Sequence, residues 1–445
     1  MKKGFRMITT VMTTVLVSAM LFTGCSTKSA ENSKVSTNTP TENASGETAS
    51  KGLSGNLELQ VFVGGYGDAW WNEMIDGFQK ENPDLKIKKN MGAQINATMK
   101  TRWLGEDTPD LVFLDGPDLA WDAMEADGQF LDLRSFYSSA AISEGKLVKD
   151  SIMKGLVDEN KEVYRAPYIL STWGTWYDDK YFTDNNLKVP SNFDELMALG
   201  EQLKKQKVSL MDFAGQYQYL LRGTLYQQLI SEGGTLLQDA VSLKPGVFTS
   251  PAFKKALTKY EKLAKAGYFL NGTVALNHTQ SQMEWLNHNA ALIPNGLWLE
   301  SEMKKDIPSG FNMKFIPSVM QDAGQPYAVG VNSINIAISS KAKNKEAALA
   351  FLGYLYREEN VKRFVEMTGS PAALNIDISN LNVADSTKSV QNWLADSNVA
   401  VVPQPRNIPQ QVEDVLRNGV NAIILGEATV DSVAESAEQE AVKVR

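Results

Sequence analysis

LELQVFVGGYGDAWWNEMIDGFQKENPDLKIKK, residues 57–89, decides the fold class. Leu57, Leu59, Val61 and Val63 alternate with other residues at the period of two that a strand requires. The glycine-rich Gly64-Gly65-Tyr66-Gly67-Asp68 then forces a turn. Trp71, Met74, Ile75 and Phe78 follow at helical spacing, and Asn82-Pro83 ends that helix. A second strand is predicted near Leu85 to Lys89. A third, Leu111-Val112-Phe113-Leu114, emerges from Thr108-Pro109-Asp110 and delivers Asp115-Gly116-Pro117 at its carboxyl end. Strand, helix, strand, strand is α/β alternation. In open sheets of this class ligands gather beyond the carboxyl ends of strands, which is where Tyr66 and Asp115 fall.

Further along, YRAPYILSTWGTWY (164–177) is extended and aromatic, and Phe193 to Lys205 is an amphipathic helix with Ser191-Asn192 as cap candidates. A long helical region is predicted from there to about Leu270. Ala290 to Pro294 reads as a strand opening into Asn295-Gly296-Leu297-Trp298, another carboxyl-end loop. Asn335 to Ile338 is a strand and Lys345 to Tyr356 a helix. Gln410 to Ile424 carries one apolar face and stops at Gly426.

Outward toward the N-terminus the composition changes. Lys2, Lys3 and Arg6 precede an uncharged stretch from Met7 to Phe22, the layout of a secretory signal over 1–24 and too short for a membrane-spanning helix of roughly 20 residues. Cys25 is the only cysteine among 445 residues, and Leu21-Phe22-Thr23-Gly24-Cys25 resembles a bacterial lipobox, in which the cysteine is acylated and begins the mature chain. Ser, Thr and Asn make up about half of residues 26–54 and no aromatic appears, so 25–54 reads as a lipidated cysteine with a flexible tether. One thiol permits no internal disulfide; the body must stand on burial, and its length suggests two or three domains. A net charge of −8 before the leader's cations are removed disfavours nucleic acid and anionic headgroups. Membrane attachment would therefore rest on lipid.

TPDLVFLDG (108–116), YRAPYILSTWGTWYDDKYF (164–182), ALIPNGLWLES (291–301) and GVNSINIAISSKAKNKEAALAFLGYLYREENVKRFVEMTGSPA (330–372) together resemble the extracellular solute-binding proteins of carbohydrate-importing ABC transporters, the family 1, maltose-binding-protein-like group. The resemblance implies a type II, two-lobed periplasmic-binding-protein-like α/β fold with discontinuous lobes. It puts residues 55–168 plus 323–369 in one lobe and 172–317 plus 374–445 in the other, with hinge crossings at 169–171, 318–322 and 370–373. It implies a monomeric lipoprotein on the extracytoplasmic face that captures a sugar and passes it to a permease, with no cofactor, no metal and no catalysis.

A sugar offers polar hydroxyls at its rim and apolar C–H faces, so its site needs aromatic platforms with paired donors and acceptors. Tyr66 and Asp115 are chosen for their places after strands, and Trp173 from the second lobe. Trp298 is chosen because its NGLW segment matches a binding-tryptophan position of the family. Asn332 and Arg406 complete the set. Each has a structural rival: Trp298 as core, Asp115 and Tyr66 as turn residues, Arg406 as a surface ion pair. Trp71 belongs to the core.

Enzyme readings find little support. No G-x-S-x-G elbow is present, and GYFLNGT (267–273) mimics a phosphate loop but lacks its lysine. His278 and His288 have no metal-ligand spacing and read as surface polar residues. A glycoside hydrolase needs only two carboxylates about 5 to 9.5 Å apart, which the acidic residues do not exclude. That reading and an adhesive lipoprotein stand as the rivals.

Overall fold

The computed structural model describes residues 52–139, 152, 156, 162–404 and 406–445. Cys25, the leader and the tether to residue 51 lie outside them. Nine strands are described: β1 (Gly55–Phe62), β2 (Leu85–Gly92), β3 (Leu111–Leu114), β4 (Ala166–Asp178), β5 (Ser209–Met211), β6 (Ala290–Gly296), β7 (Met313–Ile316), β8 (Tyr327–Ile338) and β9 (Val399–Pro403). Their order is β2-β1-β3-β8-β4-β6-β5, with β7 on β4 and β9 on β8.

β1 lies parallel between β2 and β3. Its alternation places Leu57, Leu59 and Val61 in the core. The other face is covered as well, because helix Ile95–Leu104 packs there. Gln60 is consequently buried, giving its amide to Asn96 Oδ1 (2.9 Å) and accepting from Trp103 Nε1 (2.8 Å), so its polar atoms are paired. Helix Ala69–Glu81 buries Trp70, Trp71, Met74, Ile75 and Phe78 against helix Glu358–Thr368.

β4 changes partners along its length. Ala166–Thr172 pairs antiparallel with β8, whereas Trp173–Tyr177 pairs with β6 and Thr175–Asp178 with β7. Two large cores flank this switch. One joins β1, β3 and helix Ala69–Glu81 to Ile336, Phe351, Phe364, Leu374, Ile378 and Val383. The other joins Phe182–Met320 to Ile408, Val412, Leu416 and the last helix, Val430–Val444. Main-chain bonds from Leu170 N to Pro371 O and from Ala373 N to Tyr168 O fasten a third segment beside the same stretch of β4.

The predicted long helical region does not form as such. It begins with helix Phe193–Lys205, capped by Asn192 accepting from Glu195 N (3.0 Å). β5, an aromatic loop, a π-turn at Leu221–Leu225 and three separate helices follow. At Gly223 an added Cβ would lie 2.7 Å from Pro294 Cβ and 2.9 Å from Gly174 O, so the backbone of that turn seats directly on β4 and β6. Among the described residues no helix is long and apolar enough to cross a membrane, and no cluster of three metal-ligating side chains occurs.

Candidate functional site

The loops after β1, β3 and β6 converge. Gly67, at φ 68°, closes the first loop by donating its N–H to Gly64 O (3.0 Å). This brings Gly65 so near the third loop that a Cβ there would sit 3.1 Å from Trp298 Cβ. Beside it, the ring of Tyr66 leans on Phe364 at 6.3 Å and its hydroxyl is buried without a hydrogen-bond partner. Burial, and secondarily the negative charge of Asp115, push that hydroxyl far above the usual phenol range.

Asp115 ends β3, where its carbonyl accepts from Asn96 Nδ2 (2.8 Å) and its Oδ1 accepts from Gly116 N (2.8 Å). Burial raises the carboxyl to about 6, against the lowering effect of the Gly116 N–H. The phenol and the carboxyl thus lie close enough for the charge of one to act on the other, beside the loop whose Gly65 touches Trp298.

Around Trp298 the surroundings are aromatic. Trp173, on β4, stands edge-on to Trp298 at 4.7 Å and 88°, and tilts against Tyr219 at 5.0 Å. Tyr219 also meets Trp298 at 6.0 Å and stacks on Tyr217 at 5.4 Å, whose ring lies at the surface. The Arg222 guanidinium lies 5.7 Å from the Trp173 ring centroid. Its fork is fixed by Glu413, which accepts at 2.9 and 2.7 Å and takes a third bond from the Tyr226 hydroxyl at 2.7 Å. Gln227 ties the wall to β8 by donating to Trp173 O (3.0 Å) while accepting from Gly330 N (2.9 Å).

Trp173 and Trp298 thus meet edge to edge, and Gly65 packs on Trp298, whereas the Tyr66 side chain lies in a recess with Phe62, Trp70, Trp71 and Phe364. Asn332 sits across from Ser171 in the β4–β8 pair, on the face of β4 that also carries Trp173. Its Oδ1 is buried without a partner. Asn332 and Arg406 share a polar recess with Asp122, Glu125, Arg165 and Gln404. Arg165 is held there by Glu125 and Asp122, each at 2.5 Å. Arg406 is exposed, and no ion pair joins it to another described residue.

Sequence reasoning missed Tyr219, Arg222 and Gln227, whose signal was the aromatic run Gln216-Tyr217-Gln218-Tyr219 ahead of a helix. Both histidines, expected as surface polar residues, are partly exposed and each is paired with a carboxylate. His278 meets Glu302 at 2.5 Å, and His288 meets Asp178 at 2.9 Å while sandwiched between Tyr181 and Phe311.

A family model described as bacterial extracellular solute-binding protein matches residues 64–362. The diacetylchitobiose binding protein NgcE of Streptomyces coelicolor is 27% identical over 300 residues, which cover 66% of this chain and 64% of that protein. The multiple sugar-binding protein of Streptococcus mutans is 24% identical over 318 residues, 69% of this chain and 72% of its own length. Among solved structures, the RafE protein in complex with raffinose superposes with a TM-score of 0.68 at 20% identity, over 87% of this chain and 98% of that one. A chitin oligosaccharide binding protein gives 0.70 at 17% identity, over 88% and 98%. These likenesses establish a shared fold.

Proposed function

This chain belongs to the bacterial extracellular solute-binding proteins, and from that premise we propose that it captures a sugar or oligosaccharide outside the cell and delivers it to an ABC importer permease. One observation carries the reading: Trp173, Trp298 and Tyr219 form one aromatic cluster on which Gly65 packs, and on our reading Tyr66 and Asp115 supply its polar rim. Stacking on the apolar face of a pyranose, with polar groups at its edge, is what such a cleft supplies.

The fold is the two-lobed α/β architecture of periplasmic-binding-protein-like sugar receptors. On our reading the lobes are 55–168 with 323–369 and 172–317 with the tail, closing about crossings at 169–171, 318–322 and 370–373. The partner switch in β4 between Thr172 and Trp173 supports the first crossing. Because Leu374, Ile378 and Val383 pack with the first core, we assign 374–383 to the first lobe and begin the second lobe's tail beyond it. The matched relatives are named as binding proteins, which favours capture over hydrolysis. A lipid on Cys25, a monomeric state and attachment to the extracytoplasmic membrane face complete the proposal.

Calorimetry against mono- and oligosaccharides that include N,N′-diacetylchitobiose and raffinose tests it. The expected result is stoichiometric binding with no product formed. Turnover would favour the hydrolase, and the absence of saturable binding would favour adhesion. Trp298→Ala is expected to weaken binding about tenfold or more, about 1.4 kcal/mol per decade, with little change in melting temperature. An unchanged affinity would remove Trp298 from the site.

A further inference from the structure

We propose that His278 is a positioning residue for the aromatic wall, setting the spacing of Trp298 and Tyr219 from behind. This rests on the sugar-capture reading of the cleft. His278 opens helix His278–Leu286, whose start is pinned by a capping box between Asn277 and Gln280. From that fixed point its imidazole reaches both supports of the wall.

Its Nε2 lies 2.5 Å from Glu302 Oε2. Glu302 is one turn along from Trp298, its N–H donating to Trp298 O at 2.9 Å, so the carboxylate is rooted in the helix, Leu299–Met303, that Trp298 begins. The same imidazole stands edge-on to Tyr219 at 5.4 Å and 86° and to Tyr217 at 6.4 Å and 76°. Tyr219 in turn packs on both Trp173 and Trp298.

Gln282 supports the same carboxylate. Its amide nitrogen donates to Glu302 Oε2 at 2.9 Å and lies 3.2 Å from His278 Nε2. A carboxylate oxygen only accepts, so the close contact with Glu302 places a proton on His278 Nε2. Burial alone would raise Glu302, but the bonds from His278 and Gln282 outweigh it and hold the carboxyl below its usual range. The titratable groups facing the imidazole are Glu302 on its own short helix and Tyr217 and Tyr219 on the loop before Leu221. The nearby Arg222 is taken by Glu413.

The test compares the full chain with His278→Gln, which keeps one donor without a titratable ring, and with His278→Ala. Near-ultraviolet circular dichroism of the sugar-free proteins reads the packing of the aromatic side chains, the Trp173–Trp298 pair among them. Calorimetry with N,N′-diacetylchitobiose and raffinose reads affinity. His278→Ala should alter the aromatic dichroism and weaken binding about tenfold. His278→Gln should restore most of both. Dichroism and affinity in His278→Ala indistinguishable from wild type, or no recovery of either in His278→Gln, would overturn the assignment. If neither sugar binds any variant, the capture of these sugars fails, while the sugar-free dichroism still decides the role of His278. If His278→Ala does not fold, Glu302→Gln takes its place with the same expectations.

Discussion

Asp115 illustrates a side chain placed against its own preference. Burial lifts its carboxyl to about 6, so the folded protein holds a proton that the unfolded chain has already released above about pH 4. Stability contributed at this position is therefore largest at low pH and declines as pH rises toward 6. Asp115→Asn should stabilise the sugar-free protein at pH 7 by about 1–2 kcal/mol, the lower figure reflecting the residue's partial exposure, read by thermal or urea unfolding. Binding should respond oppositely. Wild-type affinity should rise with pH through about 6 as the acceptor ionises, and Asp115→Asn should lose that rise. Asp212 is a harsher case, with both carboxyl oxygens buried and unpartnered and burial raising it well above the carboxylate range, Glu284's charge adding to the shift. Asp212→Asn should add about 1–3 kcal/mol near neutrality and almost nothing near pH 4, so an equal gain at both pH values would refute the account.

At the scale of elements, helix Gln410–Leu425 does more than cover the second core. It delivers Glu413 to the Arg222 fork beneath Trp173, where the carboxylate is almost wholly buried. Removing one partner strands the other's charge, so Glu413→Ala should cost about 3–5 kcal/mol in unfolding and weaken sugar binding by loosening Trp173. Near-normal unfolding would show that the charge finds water instead. The elements legible in the sequence were those with a long apolar period: β1, helices Ala69–Glu81 and Phe193–Lys205, and the Gln410–Leu425 helix itself. β5 and β7 were not: β3 is as short, but its four residues are all apolar and stand between Thr108-Pro109-Asp110 and Asp115-Gly116-Pro117, whereas Ser209–Met211 and Met313–Ile316 carry a polar residue and no such frame. Leu220 to Ile230 reads as continuous helix, and only the seat of Gly223 on Pro294 reveals the π-turn. The loops bearing Tyr66, Asp115 and Trp298 were foreseeable from strand ends. The meeting of Tyr219, His278 and Glu302 was not, since no local pattern links residues that far apart in the chain.

For the whole molecule, one strand is common property of two cores. β4 spends its first half beside β8 and its second beside β6, so on the proposed two-lobed reading relative motion of the lobes would concentrate near Thr172–Trp173. Saturating sugar should therefore lower the radius of gyration in solution scattering, toward the roughly 21 Å of a compact body of this size. Trp298→Ala at the same sugar concentration should leave it unchanged. A wild-type value that does not move would argue for a cleft already shut.

The interleaving of the two cores also governs when the chain is able to fold. The first core is incomplete until residues to Val383 are present, and the second until Ala441. A polypeptide emerging from the ribosome N-terminus first would thus carry both apolar surfaces unclosed for almost its entire synthesis. Such a chain stays threadable while it is being made, which suits passage through a narrow translocation channel.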